Sequence, residues 1–107
     1  MRMWMVNPRI MCREHLLGEH VELHMFAGCL KEGKSIKGYL ENGCLEPASI
    51  CTRHDELVKE MKEREYSHKT PLELDMAFTL ELWIDRGKSL KLLLDRCPKC
   101  RERYNTI

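Results

Sequence analysis

No apolar run in the chain approaches the ~18 residues that a membrane span requires. The stretch from Met3 to Val6 is too short for a signal-peptide core, and Asn7-Pro8 interrupts it. There is no internal repeat, no low-complexity tract and no nucleotide-binding glycine loop. Aromatic residues are sparse at 7%, and a net charge of +1 does not advertise nucleic-acid binding. These absences speak against a helical membrane span, and they predict an intracellular, cytoplasmic protein. What is present is 43% hydrophobic and 33% charged residues in 107, the proportions of one globular domain over 1–107 that can build its own core. A monomer is expected.

Six cysteines occur, at 12, 29, 44, 51, 97 and 100, and with no sign of export they are read as thiols. Cys97-Pro98-Lys99-Cys100 is a C-x-x-C without a second C-x-x-C or an H-x-x-x-H to complete four ligands. A structural zinc at Cys97 and Cys100, completed by Cys44, Cys51 or a histidine, therefore stays open, and no other cofactor is expected. His20 and His24 stand one helical turn apart, but the H-E-x-x-H pattern is absent. They are read as polar-face or core-edge residues, or as contacts to a phosphate or base, and no catalytic metal is expected.

Apolar periodicity predicts an all-α, compact single-domain bundle of three to four helices, with an N-terminal arm packed on the first. Asn7-Pro8 has the capping residue and proline of a helix start, and Gly33 is a plausible stop. A second helix is expected from Thr52 or Arg53 to about Glu65, capped by Thr52, with Leu57, Val58 and Met61 inward. Thr70-Pro71 opens a third, whose stripe of Leu72, Met76, Leu80 and Trp83 runs to Arg86 or Gly87 and assigns Trp83 to the core. Ser89 caps a last helix that ends or bends at Pro98. Between Lys34 and Ile50 the pattern leaves open whether Ile36–Leu40 is extended or a short helix.

Charge is unevenly spread. From Lys88 to Tyr104 there are six cations (Lys88, Lys91, Arg96, Lys99, Arg101, Arg103) against two anions (Asp95, Glu102), and Arg9 and Arg13 lie near the first helix start. Such groups grip phosphates in nucleic-acid-binding proteins, or simply form solvated faces. Lys99, Arg101 and Arg13 are the candidate contacts. Trp4, Tyr39, Tyr66 and Tyr104 are the candidates to stack on a base.

The chain begins Met1-Arg2, and because initiator methionine is removed only before small residues, Met1 is expected to remain and supply the mature α-amino group. An α-amino group titrates near pH ~8, well below lysine at ~10.4, so a useful share of it is nucleophilic at neutral pH. It can attack a sugar or aldehyde carbon and form a Schiff base. At about 3.6 residues per turn, His15, Gly18, Glu19, Glu22 and Phe26 share one broad face of the first helix. A helical glycine costs ~1 kcal/mol relative to alanine. Gly18, one turn before Glu22, thus marks either a close approach or a tolerated surface position between solvated glutamates.

Taken together these residues resemble the pyrimidine-dimer DNA glycosylases with abasic-site lyase activity, the phage endonuclease V type. The shared pattern is Arg2 directly after the terminal residue, then a helix carrying His15-Leu16, Glu19 and Glu22-Leu23 in order, followed by Gly28. It extends from Met1 to about Leu30 and loosely from Arg53 to Tyr66. The resemblance implies an α-helical bundle that acts on UV dimers or abasic sites in damaged double-stranded DNA. By carry-over, the Met1 amine displaces the base and forms an imine, Glu22 stabilises charge on the sugar and assists proton transfer, and Arg2 binds a phosphate. His15 is a further DNA contact on the Glu22 face, and His54 a weaker one. The family's arginines before and after that glutamate are Val21 and Met25 here, and its aromatic, basic carboxy-terminal segment is replaced by Cys97 to Tyr104. Two other classes are a zinc-stabilised nucleic-acid-binding or regulatory module without catalysis, and a purely structural or interaction protein.

Overall fold

The computed structural model describes residues 1–68, 71–72 and 82–107. Among these there are five α-helices and no strand, so the all-α expectation holds. The body of the third expected helix, from Thr70 onward, lies outside the described residues. No helix among the described residues is long and apolar enough to cross a membrane.

The first helix starts later than Asn7. The Asn7 side chain accepts from the Arg9 N–H at 3.0 Å, but it caps only a single 3-10 turn, Pro8–Ile10. Met11 and Cys12 are then extended, which turns both buried side chains inward, and α1 runs Arg13–Lys31. It stops where Gly33 takes the left-handed conformation (φ +70°) that glycine adopts without strain. Ile36 is not extended: a five-residue helix, α2 (Lys37–Glu41), follows.

A second 3-10 turn, Pro47–Ser49, feeds α3 (Ile50–Glu63), which begins before Thr52 because Ile50 is already fully buried. Leu57, Val58 and Met61 face inward as expected. Helix α4 (Arg86–Arg96) is capped not by Ser89 but by Asp85, which accepts from the Lys88 N–H at 3.0 Å. Ser89 is buried and donates its hydroxyl to the Trp4 carbonyl. Pro98 has no N–H with which to continue α4, so the chain turns at Cys97 into α5 (Pro98–Thr106).

Trp83 is a correction: it is 64% exposed. The chain is irregular over 82–85, and it is the neighbouring Ile84 that turns inward, its N–H donating to buried Glu46 at 2.9 Å.

The core joins the amino-terminal arm (Met3, Trp4, Val6) to Leu16, Leu23 and Phe26 of α1, to Leu57 of α3 and to Leu93 of α4. The arm is therefore part of the packed interior. Its backbone is pinned where the Met3 N–H donates to the Cys44 carbonyl at 2.7 Å. Glu19 is not solvated as one reading of α1 had it. It is 1% exposed, and its two carboxylate oxygens accept from Nε and Nη2 along one guanidinium edge of equally buried Arg53, at 2.6 and 2.9 Å, while Arg53 Nη1 donates to the Val6 carbonyl at 2.7 Å. One buried ion pair thus fixes α1, α3 and the arm relative to one another.

Candidate active site and side-chain clusters

Because the arm lies on α1, residues twenty apart in sequence meet. The Arg2 N–H donates to Glu22 Oε2 at 3.0 Å. The Arg2 guanidinium sits 4.9 Å from the centre of the Trp4 ring and donates to the Cys44 sulfur at 3.3 Å. Met1, Arg2, Trp4, His15, Glu22, Cys44 and Arg96 line one open cleft of about 430 Å³. It brings Met1, the Glu22 carboxylate and two arginines to one place. Gly18 has open space where a side chain would project, so the arm does not press on it. A larger hollow of about 710 Å³, lined by Met5, Val6, Ile10, Leu90 and Tyr104 among others, holds no such pairing.

The other expected contacts are dispersed. Arg13 is exposed, its guanidinium 5.1 Å from the centre of the Tyr66 ring. Lys99 reaches Glu14 at 3.3 Å across the α5–α1 boundary, and Arg101 donates to the last carbonyls of α4, those of Leu94 and Asp95. His54 is only 4% exposed and points into a histidine cluster, which leaves it little surface to offer DNA. Of the aromatic candidates, Trp4 is buried and Tyr39 packs on Phe26 with ring centres 5.1 Å apart, whereas Tyr104 is exposed. Trp83 joins it as an exposed ring and shares a second cleft of about 480 Å³ with Arg2 and Lys88.

The C-x-x-C is completed by residues that sequence spacing did not single out. Cys44 lies at Arg2 and Cys51 is exposed on α3, whereas Cys12 and His15, a C-x-x-H at the start of α1, face Cys97 and Cys100. Cys12 Sγ is 3.2 Å from His15 Nδ1 and 3.8 Å from Cys97 Sγ, and Cys100 Sγ is 3.7 Å from His15 Nδ1. A tetrahedral zinc with these ligand types has edges of roughly 3.5–3.8 Å. Backbone N–H groups of Cys12 and Cys100 donate to the sulfurs of Cys100 and Cys97 at 3.2 and 3.4 Å, as thiolates require. Burial pushes the Cys100 thiol up to about 12 and raises Cys12 as well. Burial acts the same way on Cys97, but N–H donors from Cys100 and Lys99 and the neighbouring thiols outweigh it and hold Cys97 below the ordinary thiol value. The residues fit a zinc ion.

On another face of α1, His20 and His24 meet His54 of α3 and His68. Burial, reinforced by the three other imidazoles, pushes His20 down to about 4, so it is neutral at physiological pH.

Residues 1–74 match the family model described as pyrimidine dimer DNA glycosylase. Among curated proteins and solved structures, none matches the chain.

Proposed function

The chain belongs to the pyrimidine dimer DNA glycosylase family, and on that footing we propose that it is a DNA repair glycosylase with abasic-site lyase activity, acting through the α-amino group of Met1. The observation that carries this reading is the cleft shared by Met1 and Glu22, with the Glu22 carboxylate anchored on the Arg2 N–H. The neutral amine attacks the anomeric carbon of the damaged nucleotide. The glycosidic bond breaks, and its electron pair leaves with the base, which takes up a proton. Opening of the sugar ring gives the imine. Loss of a proton from the adjacent sugar carbon then expels the 3′ phosphate, and water releases the enzyme from the imine.

Glu22 stabilises the positive charge that builds on the sugar and accepts or returns protons during these steps. Arg2 and Arg96, which border the same cleft, hold the flanking phosphates. The target nucleotide must leave the stack, at a cost of a few kcal/mol. The exposed rings of Trp83 and Tyr104 are the aromatic surfaces available to fill the gap. Damaged double-stranded DNA is the partner in this reading, with the protein acting as a monomer.

Borohydride trapping tests the mechanism on two duplexes, one with a single abasic site and one with a single cyclobutane dimer. A covalent adduct is expected, and the duplex that yields it defines the lesion. Glu22→Gln keeps the side chain's shape but loses the anionic charge, and we expect strand cleavage to fall by about 10²-fold, the scale of a positioned acid–base group. Unchanged cleavage would remove Glu22 from the chemistry.

The proposal includes a structural zinc held by Cys12, His15, Cys97 and Cys100. All four ligand positions are filled by protein, so the ion supplies no open position for catalysis and instead ties α5 to the start of α1. One zinc per chain is expected at this cluster. Its loss in Cys100→Ser should lower the melting temperature by more than the ~4–8 °C that 1 kcal/mol represents in a domain of this size. A variant with unaltered zinc content and melting temperature would show that the cluster binds none.

A further inference from the structure

The second side-chain cluster is explained by neither the amine chemistry nor the thiol site. His20 lies about 200° round α1 from Glu22, so its side chain leaves the helix on the side away from the cleft. There it meets three other imidazoles: His24 one turn on, His54 of α3, and His68 beyond the end of α3. Ring centres are 4.8 Å apart for His20–His24, 5.0 Å for His20–His54 and 4.9 Å for His20–His68. One nitrogen from each of the four lies within 4.8 Å of the other three.

Packing alone does not account for this arrangement. The Nε2 atoms of His20, His54 and His68 are buried and have no hydrogen-bond partner among the described residues. Each such orphan carries a desolvation cost that apolar side chains at the same positions would avoid. The polarity of the nitrogens also matters. His54 Nδ1 lies 3.3 Å from the exposed Asp55 carboxylate, which can only accept. That contact therefore assigns the ring proton to Nδ1 and leaves Nε2 as a bare lone pair directed at its neighbours. A carboxylate on the outer nitrogen is the usual support of a metal-binding histidine.

We propose that His20, His24, His54 and His68 bind one divalent transition-metal ion of zinc's class. An all-imidazole set suits zinc, nickel or copper, and its four ligands close the coordination sphere, making the ion structural rather than catalytic. A tetrahedral ion needs its nitrogens roughly 3.3 Å apart, and modest ring rotations supply the contraction from the present spacing. The ion crosslinks α1 to α3 and anchors the chain at residue 68. It is distinct from the thiol site in both ligands and location.

Cobalt(II) titration of the full chain, stripped of metal, tests this without DNA. Two equivalents should bind, and only one should carry a sulfur-to-cobalt charge-transfer band. In Cys97→Ser/Cys100→Ser the remaining equivalent should show tetrahedral nitrogen-type spectra with no sulfur band. His68→Ala, which changes a half-buried residue outside the helices, should keep its helical circular dichroism and the sulfur band, yet bind the other equivalent at least about tenfold more weakly and with an altered spectrum. Saturation of the wild-type chain at one thiolate-bound equivalent would overturn the proposal. So would a second equivalent whose affinity and spectrum are unchanged in His68→Ala, since that metal would be bound elsewhere.

Discussion

Adding one residue ahead of Met1 abolishes the borohydride-trapped adduct on both duplexes, while the protein remains folded and still binds DNA. The extension converts the Met1 amine into an amide, whose nitrogen lone pair is delocalised and cannot form an imine. The new terminus lies up to about 3.5 Å further along the chain, away from the Glu22 carboxylate. Loss of nucleophile and of alignment together should reduce the single-turnover rate by at least ~10³-fold, since placement alone is worth several kcal/mol in such reactions. The contacts that seat the arm start at the Arg2 N–H and at the Met3 N–H, and an added residue leaves both in place. Melting temperature and affinity for an intact duplex should therefore hardly change. Undiminished trapping by the extended chain would transfer the nucleophile to a lysine and refute the role of Met1.

Arg53→Met destabilises the fold by about 3–5 kcal/mol, the effect of leaving a buried carboxylate without its partner. Domains of this kind have only about 5–15 kcal/mol in total, so urea midpoint and melting temperature should both fall steeply. The side chain is 1% exposed and holds Glu19 by two hydrogen bonds, and it also satisfies the Val6 carbonyl. Glu19→Leu/Arg53→Met should recover part of the loss, because removing both charges leaves no uncompensated ion. Recovery stays incomplete because the Val6 carbonyl remains unbonded. A single variant within about 1 kcal/mol of wild type would contradict the buried pair, whose removal should cost several times that.

Local signals carried the helices and the meeting of the arm with Glu22, and tertiary signals carried the rest. Glu22 was legible because helical spacing places it on a face with His15, and the arm is short enough to reach it. The stop at Gly33 followed from backbone conformation alone. Capping was misleading where the side chain had a better partner far away: the Ser89 hydroxyl goes to the Trp4 carbonyl. Trp83 looked like core because a helical stripe was extended through it, whereas the irregular chain turns Ile84 inward instead. The two clusters were the hardest to see. Cys12 and His15 find Cys97 and Cys100 some 85 positions later, and the four histidines come from α1, α3 and the segment after it. Spacing within one helix reveals only half of such a set.

The seating of the arm also sets an order of events during synthesis. Trp4 is made 85 residues before Ser89, which bonds its carbonyl, and Cys100, which bonds the Cys12 N–H, follows later still. An emerging chain therefore has its arm and Glu22 long before it has the residues that hold them in register. Contacts this distant in sequence form late and slowly. The cleft that the arm and Glu22 line is therefore assembled only once the carboxy-terminal helices are made.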